Sequence, residues 1–171
     1  MLRAVASQKQ KLLVSAAIVI VSVMLDQITK RLAFQNLRGQ PGYSYFGGLF
    51  RLEYAENTGA FLSLGAEMSE GARTAFFVVG VVVIIGFCVV WLVKSANNWL
   101  AVISLAAVIS GGVGNLIDRV TRGSVIDFLF MGIGPVRTGV FNIADIAITS
   151  GLIAMLYEQY LSDREKGKKI A

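Results

Sequence analysis

Long uncharged stretches leave this 171-residue chain few ways to fold. Between Arg73 and Lys94 lie 20 uncharged residues, and between Lys94 and Asp118 lie 23 more. A bilayer core about 30 Å thick needs roughly 20 apolar residues in a helix, so both read as spans, at about 74–93 and 98–117. Between Arg137 and Glu158 lie 20 residues whose only charge is Asp145, a span at about 139–160. Near the start, Lys11 precedes 14 uncharged residues and then Asp26. Basic residues before a short apolar core also fit a secretory signal peptide. No small-residue cleavage site follows, however, and DQITKRLAF runs on in helix-compatible text, so a retained span at about 12–34 is expected. Composition agrees: 16% of residues are charged and mean hydropathy is +0.65, against about 25% charged in soluble domains.

The expected fold is therefore an all-α membrane protein, a four-transmembrane-helix bundle in one domain. A long connection (about 35–73) carries the strand-like pieces YSYF and LFRLEYA and the turn signal Pro41-Gly42. It predicts a small β-rich lobe at about 38–66, after which AEMSEGART reads as a polar re-entry into the second span. Basic residues sort by density: 8 fall in about 26 residues on the side of the termini, and 8 in about 66 residues on the other side. The positive-inside tendency then puts both termini, with the REKGKK tail, in the cytoplasm. Disorder, collagen-like repeats and nucleic-acid binding are excluded by this pattern, and the net charge of +5 is a matter of topology.

The chemistry-bearing residues are few. There is no histidine and one cysteine, Cys88, a small filler in the second span. Histidine-based triads, an intrachain disulfide and four-cysteine zinc sites are excluded, and no metal site or cofactor is expected. Polar residues in or beside spans are functional candidates by default. Asp26, Asn57, Asn115, Asp118, Arg119, Asp127, Asn142 and Asp145 are such residues, and four-span parity puts all eight on one membrane face. Plainer readings exist for several of them. Asp26 and Lys30, at i,i+4, have the spacing of an ion pair, Asp118-Arg119 that of a helix-end pair, and Asn57 that of a turn residue before Gly59. Asp127, inside the apolar run SVIDFLF, and Asp145, inside VFNIADIAIT, are the hardest to read as idle charges. Two carboxylates in a partly dry site share one proton near neutral pH. One deprotonates water while the other polarises a carbonyl, as in aspartic proteases. Spacing makes Asp127 with Asp145 a plausible dyad; a proton- or ion-coupled transporter using the same acids as a relay is the alternative.

The motifs DQITK (Asp26–Lys30), ENTGAF (Glu56–Phe61), GGVGNLIDR (Gly111–Arg119), GSVIDF (Gly123–Phe128) and FNIADIAI (Phe141–Ile148) together resemble the lipoprotein signal peptidases, or signal peptidase II. The resemblance implies an intramembrane aspartic endopeptidase of the bacterial cytoplasmic membrane. Such an enzyme removes the signal peptide of diacylglyceryl-modified prolipoproteins, cutting before the lipidated cysteine. It implies Asp127 and Asp145 as the catalytic pair, Asn57, Asn115, Arg119 and Asn142 as pocket residues, and Asp26 and Asp118 as supporting acids. A four-helix bundle with an extracytoplasmic β-cradle, contact with membrane lipids and inhibition by globomycin are also implied. The chain departs from the family pattern at NTGAFLS, where many members have NTGAAFS, and at Ile146, where many have Ser.

Overall fold

The computed structural model describes residues 7–59, 69–94, 96 and 98–170. Arg3, most of NTGAFLS and the first part of AEMSEGART lie outside them. Helix α1 (Gln8–Asn36) starts where the Ser7 hydroxyl accepts from the Gln10 N–H at 3.2 Å, which satisfies one of the donors left open at a helix start. Strands β1 (Tyr43–Tyr45) and β2 (Phe50–Asn57) follow, then α2 (Glu70–Lys94), α3 (Trp99–Arg122), β3 (Val125–Ile133), β4 (Val136–Arg137) and α4 (Ile143–Ile170). The Asn98 side chain opens α3, accepting from Ala101 N–H at 2.9 Å. Gly123 closes it in the left-handed conformation, φ +77°, which glycine adopts at little cost.

α1, α2 and α3 are long and apolar enough to cross a membrane. α4 has 28 residues but, with Asp145 in its first turn and Glu158 further on, falls short of that apolarity. α3 is the central helix, packed against the other three, and its small residues allow that. A Cβ on Gly111 would collide with the Ala144 carbonyl and with Ile148, and one on Gly114 would come within 2.6 Å of Asp26 Oδ2. The outer faces of α1 and α2 are apolar and bare, with Phe87 64% and Leu13 60% exposed. Surface of that kind is stable against lipid tails and a liability in water.

The four strands form one antiparallel sheet in the order β1-β2-β3-β4. β1 and β2 fall on the strand-like text of the long connection, whereas β3 lies outside the β-rich lobe expected at about 38–66. Its residues Val125–Phe128 are buried in succession, so no polar-apolar alternation marks the strand. Between Leu52 and Ala55 the β2–β3 register slips, which re-aims the end of β2. Phe141 then pairs with Leu129 through two 2.8 Å backbone hydrogen bonds. That bridge delivers the residue before α4 to the side of β3.

Candidate active site

Asn142 is the hinge of the site. It precedes α4, its Oδ1 accepts from the Asp145 N–H at 2.9 Å, and Asp145 Oδ2 accepts in return from the Asn142 N–H at 3.1 Å. This is a reciprocal capping box, three residues apart. The Asn142 amide reaches away from the helix as well. Its Nδ2 donates to Asp127 Oδ1 at 2.6 Å and lies near Asn115 Oδ1 (3.1 Å) and the Ile126 carbonyl (3.3 Å). One fully buried side chain therefore touches both candidate acids, one on a strand and the other on a helix.

Each acid has a further amide. Asn57 Nδ2 donates to Asp127 Oδ2 at 3.2 Å while its Oδ1 accepts from the Gly59 N–H at 2.9 Å. Asn57 is thus both the turn residue and a partner of the acid. Asn115 Nδ2 donates to Asp145 Oδ1 at 2.8 Å. Asp127 is held above the usual carboxylate value of 3.8, at about 6. Burial is the larger cause and the neighbouring Asp145 charge the next, while the Asn57 and Asn142 hydrogen bonds and Lys30 pull the other way.

Asp26 and Asp118 build the floor. Lys30, 2% exposed, places its ammonium 2.9 Å from Asp26 Oδ2, 3.1 Å from Asp118 Oδ2 and 2.9 Å from Asn115 Oδ1. The Asp26–Lys30 spacing is therefore an ion pair, but a buried one with a third member. Asp118 pairs with Lys30 and not with Arg119, against the helix-end pair allowed by sequence. Its Oδ2 also accepts from the Ile126 N–H at 3.2 Å, next to Asp127, and Asp26 Oδ1 accepts from the Ala144 N–H at 2.9 Å, in the first turn of α4. Gln27 bridges the two acids from 3.2 and 3.3 Å. Such a cluster tolerates burial because every charge has partners. Arg119 hydrogen-bonds the Asn115 carbonyl at 3.3 Å, and its guanidinium carbon lies 5.8 Å from the Phe77 ring centre.

All eight residues singled out by sequence thus lie in, or directly beneath, one constellation. Lys30 as its centre, Gln27 and Phe77 were not legible as site residues. The i,i+4 spacing signalled one Lys30 contact, and the other two come from α3. Among the described residues no group of three or more His, Cys, Asp or Glu is placed to hold a metal ion. Beside Asp145 a cavity of about 550 Å³ opens, lined by Met131, Val140, Phe141, Ile146, Thr149 and Ile153 among others. Ile146, one of the two departures from the family pattern, is therefore part of its wall.

The chain is similar to known proteins over most of its length. A family model described as Signal peptidase (SPase) II matches residues 18–161. A lipoprotein signal peptidase of Borrelia hermsii is 32% identical over 91% of this chain and 95% of its own, and one of Geobacter sulfurreducens is 36% identical over 88% and 93%. A solved structure described as a bacterial membrane enzyme superposes with a TM-score of 0.76 at 26% identity, covering 85% of this chain and 92% of its own. Another so described shares the fold, with a TM-score of 0.78 at 24% identity over 97% and 96%. With identities above 30% spread over most of both partners, and a family match from the first helix into the last, this chain belongs to the signal peptidase II family.

Proposed function

We propose that the protein is an intramembrane aspartic endopeptidase that removes the signal peptide from diacylglyceryl-modified prolipoproteins, cutting before the lipidated cysteine. The observation that carries this reading is the Asn142 side chain, bonded at once to Asp127 and to the capping box of Asp145. It links two acids from separate elements through one amide.

Asp127, whose pKa is raised to about 6, is assigned the acid role, its protonated form being the reactive one. Asp145 then takes a proton from water, and the hydroxide adds to the scissile carbonyl carbon as Asp127 protonates the carbonyl oxygen. In collapse, the proton on Asp145 goes to the leaving amine nitrogen, the C–N bond breaks, and Asp127 recovers a proton from the tetrahedral hydroxyl. Asn57, Asn115 and Asn142 orient the carboxylates and the peptide backbone, and Arg119 steadies negative charge at the mouth of the site. Asp26 and Asp118, paired with Lys30, act through α4 and β3, whose backbone they hold. α4 serves as the fourth span, the sheet as the cradle outside the cytoplasm, and globomycin as an expected inhibitor.

The transporter alternative has no support: family membership argues for peptide cleavage, and the polar constellation stays at one end of the bundle. The test is the product. Purified protein incubated with a lipidated precursor is expected to release a fragment whose mass places the new N-terminus at the lipidated cysteine. Cleavage elsewhere, or equal cleavage of the unlipidated precursor, would reject the assigned specificity.

A further inference from the structure

Below the aspartates the outward face of α4 is open, and one stripe of it runs from Asp145. Thr149, Leu152, Leu156 and Gln159 follow Asp145 at i+4, i+7, i+11 and i+14, which places all five on one helical face. The four that follow Asp145 are exposed. At the far end of the stripe lies a cavity of about 600 Å³ lined by Trp91, Asn98, Leu152, Met155, Leu156 and Glu158, among others.

Glu158 is half-buried there. Its Oε1 accepts from Asn98 Nδ2 at 2.8 Å, while Asn98 Oδ1 is occupied in opening α3. Among the described residues Glu158 has no other hydrogen bond and no ion pair. Lys11, at the same end of the bundle, is committed to the carbonyls of Leu92, Val93 and Ala96 at 3.0–3.2 Å. A carboxylate with one neutral partner, set among walls that are mostly apolar with Gln159 and Ser162 at one side, suits a cation carried on an apolar stem.

Distance supplies the second argument. Asp145 and Glu158 are 13 residues apart, about 20 Å along a helix axis. A signal peptide carries a basic n-region ahead of an apolar core of about 7–15 residues, which as a helix covers about 10–22 Å. We infer that Glu158, held by Asn98, receives a Lys or Arg of the substrate's n-region while the apolar core lies along the open stripe and the scissile bond reaches Asp127 and Asp145. The inference rests on the endopeptidase reading and adds to it a positioning residue at the opposite end of the bundle.

Steady-state cleavage by the full chain in lipid nanodiscs tests it, with lipidated precursors whose n-region is basic, neutral (Lys→Gln) or acidic (Lys→Glu). Glu158→Lys is expected to raise KM about tenfold for the basic precursor and to leave kcat within about twofold. It should also prefer the acidic precursor, reversing the order shown by the unaltered protein. Glu158→Gln, which keeps an acceptor for Asn98, should discriminate little among the three. Equal KM for all three precursors with the unaltered protein, or a rise in Glu158→Lys that ignores n-region charge, would overturn the inference. Cleavage of none of the three by the unaltered protein would overturn the endopeptidase reading along with it.

Discussion

Asn142 joins helix capping to the chemistry of the site. It stands three residues from Asp145, a spacing that shares one helical face and in the structure forms a capping box. Its reach to Asp127 was not legible, because it depends on the Phe141–Leu129 bridge, a pairing between segments that local sequence does not announce. Asn57 offers a test at this scale. Its hydrogen bond favours the ionised form of Asp127, so Asn57→Ala should raise that pKa further above about 6. The form with one shared proton then persists to higher pH, and the alkaline limb of the kcat/KM profile should move upward. A limb that stays put or moves down would contradict the assignment of the proton to Asp127.

Among the elements, the helices were legible and the sheet only in part. Uncharged length exposed α1, α2 and α3, and turn residues exposed β1 and β2. β3 escaped because its first half is buried on both faces, so no polar-apolar alternation marks it. The burial of Lys30 escaped too, since two of its three partners, Asp118 and Asn115, come from α3. That cation ties α1 to α3, and through Asp26 to the start of α4. Lys30→Met leaves two buried carboxylates without their cation and should cost about 3–5 kcal/mol of stability. Thermal unfolding in detergent reads this as a clear drop in midpoint; an unchanged midpoint would mean that the cluster is not a structural tie.

At the scale of the whole molecule, the eight polar residues singled out by sequence gather at one end of the bundle, the arrangement expected of four spans. The density of basic residues predicts cytoplasmic termini, and thiol accessibility tests that orientation. With Cys88 replaced by Ala, Gln40→Cys should react with a membrane-impermeant thiol reagent in intact spheroplasts, and Arg164→Cys only after lysis. The reverse pattern would invert the topology and put the sheet inside the cell.

The central claim is that Asp127 and Asp145 together hydrolyse the peptide bond, and single isosteric changes test it most directly. Purified Asp127→Asn and Asp145→Asn, incubated with a lipidated precursor, are each expected to lose activity by at least about 10³-fold while retaining the unaltered protein's unfolding midpoint to within a few degrees. Cleavage by either variant at the unaltered rate would contradict the claim.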